Sequence, residues 1–328
     1  MNLLPLQKPL ELLQLEVLIK RYRKRDQYYE QIQDYYHREL AGYLGEKALQ
    51  YYFALLRYEP VFTLFDLRAK AFTHYFQIDA LLITRQFLLI VESKHTKGVI
   101  TENDAKQMIQ HVDGKTKSLQ HPLHQADIQR RQLKTFLMNH QLDQLPIYTC
   151  ATFTHPEVII DMPNQPNNLF THHYLLQFIY DLLEENHTPI ISSKQAQTIG
   201  QCLVANHTPR NRHLAKDWNI KENDLILGPF CSRCSKVVMK REHGTWFCQA
   251  CQHYDKHAHT DALRDLLIFH QYPEFSNQDV KGWLSLDSSH VCKRLLANYD
   301  RIGEKRLSKY NLSKLVPELE HQFRRIKS

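Results

Sequence analysis

Apolar positions along the chain follow two periods. From residue 9 to 57 they recur at helical spacing, first in PLELLQLEVLIKRYRKRDQYYEQIQDYY and again in RELAGYLGEKALQYYFALLRY, which predicts helix. From 61 to 94 short runs rich in Val, Ile, Leu, Phe and Tyr predict strands. Two of these runs, ALLIT (80–84) and FLLIV (87–91), flank Arg85-Gln86 and are expected to form a hairpin. Arg-Gln is poor chemistry for a tight type I′ turn, so a four-residue loop is expected, in the register a two-residue loop would also give. A polar stretch runs from Gly98 to about 120 and a helix is predicted over 123–140. Short strands follow at 146–153 and 157–160, then a loop at PNQPNN (163–168) and a helix over 174–185. The mixture predicts an α/β layer structure over residues 37–200, preceded by a helical segment, 1–36.

The hairpin ends on charge. In the expected register Asp79 faces Glu92 across the ladder, with Cβ atoms about 4.5–5.5 Å apart, and Lys94 points to the same face. Two facing carboxylates repel, so one takes a proton or a cation sits between them. Mg²⁺ is bound by one or two carboxylates plus waters and substrate phosphate, and Lys94 beside it would orient a water or neutralise charge developing on the phosphate. Strand ends that merely reach solvent give the same letters, and E-x-K alone is a common triplet.

An ordered set of motifs sharpens this. GEKALQYY (45–52), QIDALLIT (77–84), FLLIVESKHTKGVI (87–100) and HPLHQADIQRRQLKTFL (121–137) together resemble the NERD (nuclease-related domain) family of the restriction-endonuclease-like PD-(D/E)xK superfamily, over residues 37–155. The resemblance implies a mixed central sheet flanked by helices. It matches Asp79 and Glu92 to the acids that hold Mg²⁺ or Mn²⁺, Lys94 to the catalytic lysine, Glu46 to the glutamate of the first helix and Gln125 to the glutamine of the helix after the core motif. Ser93 stands where the family often has threonine, and His95 where asparagine is frequent. Neither change removes a catalytic group, because the family's metal takes the backbone carbonyl at the first of these positions. The implied activity is metal-dependent hydrolysis of phosphodiester bonds, with DNA as the expected nucleic acid. The alternative is a catalytically inactive nucleic-acid-binding or adaptor protein on the same scaffold.

NHTPRNRHLAKDW (206–218) is polar and marks a linker, drawn over 201–225. Next come Cys231-x₂-Cys234 and Cys248-x₂-Cys251, separated by 13 residues that suit a hairpin turning near Glu242–Gly244. This is a zinc-ribbon pattern over 226–256, with a closed four-cysteine site that serves folding. His253, His257 and His259 just beyond it read as surface histidines. Segments 259–271, 276–286 and 288–300 read as three helices, the second opened by a Ser276–Asp279 capping box. A basic ribbon then closes a winged-helix-like domain over 257–328, although three short helices equally suit a domain that only packs. Its third helix would carry Ser289, His290, Lys293 and Arg294 toward a major groove, and Lys305, Arg306 and Lys309 on the wing would meet phosphates. Trp283 and Leu295 read as core.

Charge fits a polyanionic partner and equally a solvated basic surface. The formal net charge is +7, and all of the excess of Lys+Arg over Asp+Glu falls after residue 199. Seven cysteines without a signal peptide argue against a disulfide framework and for metal binding in a reducing compartment, which with no membrane-length apolar run predicts a soluble cytoplasmic protein. No phosphate-binding loop and no nucleophile elbow is present, which excludes nucleotide-driven motors and Ser-His-Asp hydrolases of those types. No motif specifies a homo-oligomer or a protein partner.

Overall fold

Strands β3 (His74–Ile83) and β4 (Leu88–Lys94) form the expected hairpin, pairing Ala80 with Val91, Leu81 with Ile90, Leu82 with Leu89 and Ile83 with Leu88. Four residues, Thr84 to Phe87, stay outside the ladder. Thr84 makes Arg85-Gln86 workable as a turn. Its Oγ1 accepts from the backbone N–H groups of Gln86 and Phe87 and donates to the Phe87 carbonyl, 2.9 Å away.

The computed structural model describes residues 1–58, 60–304 and 308–317. Two compact units divide the chain: Met1–Gln7 with Arg38–Arg210, and Lys8–His37 with Asn211–Ser328. In the first, β1 (Asn2–Leu4) runs parallel to β2 (Phe62–Ala71), β2–β3–β4 are antiparallel, and β4 continues parallel to β8 (Ile147–Phe153) and β10 (Leu169–Thr171). Hydrophobic residues cover both faces of this six-stranded sheet. Leu81, Ile83, Leu88 and Ile90 pack on α3 (Pro122–Asn139) and α5 (Ser193–Ala205) through Leu133, Phe136 and Ile199. Leu82, Leu89 and Val91 pack on α2 (Gln27–Leu55) and α4 (Leu175–Glu185) through Leu49, Phe53 and Ile179. Near-continuous apolar runs in β3 and β4 are the sequence form of a sheet buried on both sides.

The polar stretch after Gly98 is itself a sheet. Strands β5 (Gly98–Glu102), β6 (Met108–Val112) and β7 (Lys115–Leu119) form a meander, and β9 (Val158–Ile160) joins β5 in parallel. Gly98 has φ +93°, and a Cβ there would meet the His111 carbonyl oxygen at 2.2 Å, so this entry into the meander requires glycine.

The second unit is built on α1 (Leu10–Arg21). Its Leu10, Leu13, Val17 and Leu18 share a core with Trp246, Leu263, Leu267, Trp283 and Leu312. The segment expected as a linker contributes to structure: residues up to Ala205 complete α5, and Leu214 and Ala215 of α6 (Leu214–Asp217), with Ile220 and Leu225, are buried in that core. Hairpin β11 (Lys240–Glu242) and β12 (Thr245–Phe247) turns at His243-Gly244, and β13 (Tyr254–Asp255) completes a three-stranded sheet. The remainder runs α7 (Ala258–His270), β14 (Glu274–Ser276), α8 (Asn277–Trp283), α9 (Ser289–Leu295), β15 (Asp300–Ile302) and β16 (Lys309–Asn311), with strands ordered β14-β16-β15. That is the element order of a winged helix. Ser276 and Asp279 form the expected capping box, Trp283 is fully buried, and Leu295 is partly buried against the core. His259 departs from expectation. It is 9% exposed rather than a surface residue, because it begins α7 beside Trp246. Among the described residues no helix is long and apolar enough to cross a membrane.

Candidate active site

Strands β2 and β3 break their alternation at the same level. Leu64 and Leu67, and likewise Ile78 and Leu81, line one face although three positions apart, and the ladder passes from Phe65–Ala80 to Leu67–Ile78 without pairing Asp66 and Asp79. Asp66 holds φ +46°, a left-handed backbone that aspartate tolerates better than most residues. This matched break frees the Asp79 carboxylate from a regular strand position. Its Oδ2 accepts from the backbone N–H of Ser93 at 2.8 Å and from the Ser93 hydroxyl at 3.0 Å.

Glu92 is 2% exposed and both of its oxygens are engaged. Lys94 Nζ donates to Oε1 at 2.6 Å, and Gln129 Nε2, from α3, donates to Oε2 at 2.8 Å. Glu46 comes in on α2. The close approach of that helix depends on Gly45, where a Cβ would lie 3.0 Å from Ser93 Oγ and 3.4 Å from Thr154 Oγ1. Glu46 is 8% exposed and its Oε2 is buried without a hydrogen-bond partner.

Acidic groups gathered in a poorly solvated place resist ionisation. Burial first, then Glu92, pushes the Asp79 carboxyl up to about 7 against the opposing pull of Lys94 and Ser93. Burial, Asp79, Asp66 and Glu92 drive Glu46 well above the ordinary carboxylate range. Asp66, whose Oδ1 accepts from Gln77 Nε2 at 2.7 Å, rises to about 6, chiefly through burial. The structure therefore brings together Glu46, Asp79, Glu92 and Lys94. Gln125 lies one helical turn before Gln129, with its own Oε1 buried and unpartnered.

Three contributors escaped sequence reasoning. Asp66 had only one signal, an acid inside the apolar run TLFDL. Gln129 sits on the same helical stripe as Gln125, four residues on. The third is a histidine group just past the C-terminal ends of β4, β8 and β10. His95 and His155 have ring centroids 4.9 Å apart, and His95 Nδ1 shares a hydrogen bond with Thr154 Oγ1 at 3.0 Å. Burial, then His155 and His172, lowers the pKa of His95.

These residues lie inside or beside a stretch with a known likeness: residues 41–154 match the family described as nuclease-related domain. The chain carries a NERD domain. No curated protein and no solved structure matches it. The NERD domain spans all four motif segments, and its observed fold is a mixed sheet packed against helices on both faces.

The cysteines of the second unit form a separate metal-type cluster. The Sγ atoms of Cys231, Cys234, Cys248 and Cys251 lie within 4.8 Å of one another, with Cys231–Cys251 and Cys234–Cys248 each at 3.6 Å. Tetrahedral zinc with Zn–S near 2.3 Å needs sulfurs about 3.8 Å apart, so the arrangement is consistent with a zinc site. Both knuckles share one geometry. Ser235 N–H returns to the Cys231 carbonyl and Gln252 N–H to the Cys248 carbonyl, and Ser235 and Gln252 adopt φ +52° and +56°.

On α9, Ser289, His290, Lys293 and Arg294 are all exposed. Lys309 on β16 is partly buried, with its Nζ 5.3 Å from the Tyr272 ring centroid. Lys305 and Arg306 lie outside the described residues.

Proposed function

We propose that the NERD domain hydrolyses phosphodiester bonds of nucleic acid, DNA foremost, using Mg²⁺ or Mn²⁺, while the second unit holds the substrate. The observation that carries this reading is the meeting of Asp79, Glu92 and Lys94 at the end of a buried hairpin, beside Glu46, whose Oε2 is buried without a hydrogen-bond partner. The residues fit a divalent cation. Buried acids whose ionisation is suppressed by each other are relieved by added positive charge, and hard oxygen donors suit magnesium or manganese. Asp79 and Glu92 would hold the ion, with Glu46 as a further ligand or a contact through water. A divalent ion there supplies charge against the phosphoryl oxygens and lowers the pKa of water.

The chain's own groups do the positioning. Ser93 fixes the Asp79 carboxylate through two hydrogen bonds, and Gln129 fixes that of Glu92. Lys94, whose Nζ lies 2.6 Å from Glu92, would orient the attacking water and offset charge building on the phosphate. In the second unit, Lys293 and Arg294 on exposed α9 suit phosphate contact, and zinc at the four cysteines keeps the ribbon folded.

The test is cleavage of circular and linear DNA, and of RNA, with Mg²⁺ or Mn²⁺, comparing wild type with Asp79→Ala and Lys94→Ala. Metal-dependent cutting lost in both variants, with circular dichroism unchanged, is expected. Cutting that survives both changes, or no cutting of any substrate, would refute the assignment.

A further inference from the structure

Lys94, Phe153 and Thr171 lie level across the three parallel strands β4, β8 and β10. At a strand spacing of about 4.8 Å, the backbone leaving β10 emerges about 10 Å from that of Lys94, on the same edge of the sheet. The two residues that follow Thr171 are His172 and His173, with ring centroids 4.1 Å apart and planes at 33°. His172 Nδ1 donates to the Phe153 carbonyl at 3.1 Å, and burial above all lowers the pKa of this ring, so it is neutral near pH 7. Helix α2 meets the pair. Tyr52 stands edge-on to His172 and His173, at centroid distances of 5.4 and 6.4 Å, and its hydroxyl shares a hydrogen bond with His173 Nδ1 at 3.1 Å. Tyr51 in turn stands edge-on to Tyr52 at 5.2 Å. Tyr52 therefore braces two rings that face solvent: His173 is exposed, and Tyr51 is 62% exposed. Lys47, one turn before Tyr51 on the same face of α2, is exposed as well. Lys47 directly follows Glu46 in the chain.

Open aromatic faces held in place beside an ammonium suit one kind of ligand. Unpaired bases stack on such rings whatever their sequence, and their phosphates meet the cation. A duplex keeps its base faces covered by neighbouring pairs and cannot use them. We propose that Tyr51 and His173 form a stacking platform for unpaired bases beside the acids of the NERD domain, so that the strand entering the site is single. The inference rests on reading that site as one that hydrolyses phosphodiester bonds, and it names the state of the strand that is cut. The span fits. About 10 Å corresponds to roughly three nucleotides at the 3.4 Å rise of a stacked strand, so a strand seated on His173 reaches the level of Lys94 within a few bases. Lys47 would meet a phosphate of the same strand.

The experiment is fluorescence anisotropy of the zinc-loaded full chain with a labelled oligothymidylate and with a duplex of the same length. Binding is read without added Mg²⁺ or Mn²⁺, and cleavage of both substrates is then read with Mn²⁺. Tyr51→Ala and His173→Ala are each expected to weaken single-strand binding about ten-fold, the loss of one base stacked on a ring, and to slow cleavage of that strand. Both side chains are exposed, so the melting temperature and the affinity for duplex should stay as in the wild type. Tyr51→Phe keeps the ring and should bind the single strand as the wild type does. Three results would overturn the platform while leaving hydrolysis by the NERD domain in place: wild-type single-strand affinity in both alanine variants, a loss in Tyr51→Phe equal to that in Tyr51→Ala, or equal losses on the duplex. Failure of the wild type to bind the oligothymidylate would overturn it too. Ring-dependent binding by a wild type that cuts neither substrate would support the platform and overturn the hydrolytic reading instead.

Discussion

Glu92 accepts from Lys94 and from Gln129 at once, and the second contact sets its orientation. Replacing Gln129 by leucine keeps the packing and leaves Oε2 without its donor. Metal affinity or activity should fall by about 10–100-fold, as for other residues that orient a ligand, with the melting temperature little changed; calorimetric Mn²⁺ titration reads the affinity. Asp79 makes a second prediction. Its carboxyl holds a proton to about 7 when folded, against an ordinary value of 3.8. Between those values the folded state binds more protons than the unfolded one, so metal-free protein loses stability as pH rises through this window and regains none above it. Asp66 and Glu46 act in the same direction. A divalent cation favours the ionised forms, so Mn²⁺ should raise the melting temperature more at pH 8 than at pH 5. Equal shifts at both would count against carboxylate ligation. The ladder from Ile83–Leu88 to Ala80–Val91 was legible because a hairpin's register follows from its turn; it stops one pair short of Asp79 and Glu92. The parts played by Asp66 and Gln129 were not legible. A left-handed φ in mid-strand, and the phase at which α3 docks on β4, are settled by tertiary packing.

Elements with an apolar stripe or a metal spacing were readable; those lying on the surface were not. The ribbon came from cysteine spacing alone, and its consequence is measurable. Cys251→Ser should release the metal, seen by elemental analysis, and withdraw Trp246 from its buried site, seen as a red-shifted tryptophan emission. The cap of α8 was equally plain from Ser276 and Asp279, whose reciprocal bonds the fold contains. Ser276→Ala should cost about 1 kcal/mol in denaturant unfolding of the second unit. The meander β5–β7 left almost no trace. In β7, Lys115–Ser118 are all exposed, so neither face carries a run of apolar letters. Residues 206–225 misled in the other direction. Their polar letters outnumber Leu214, Ala215, Ile220 and Leu225, yet those few side chains reach the core.

At the scale of the whole molecule, two distant segments, Lys8–His37 and Asn211–Ser328, build the second unit, and the NERD domain lies in sequence between them. Arg21 joins those segments. Fully buried on α1, it pairs with Asp265 of α7 at 2.6 Å and donates to the Ile226 and Gly228 carbonyls. Arg21→Ala leaves Asp265 with Lys20 alone, 3.0 Å away, and strips the Ile226 and Gly228 carbonyls of their donor, so it should destabilise the second unit by roughly 3 kcal/mol. Scanning calorimetry should then show one of two transitions moved down while the other holds. The same topology has a consequence for synthesis. The apolar face of α1 leaves the ribosome long before α7, which follows more than roughly 200 residues later; at about 5–20 residues per second that is a wait on the order of 10–40 s. Throughout that interval the nascent chain displays Leu10, Leu13, Val17 and Leu18 without Leu263, Leu267 and Trp283, which later share their core. Production of this protein in quantity should therefore depend on holdase chaperones acting at its first twenty residues, and slowing translation should lower the yield of correctly assembled chain rather than raise it.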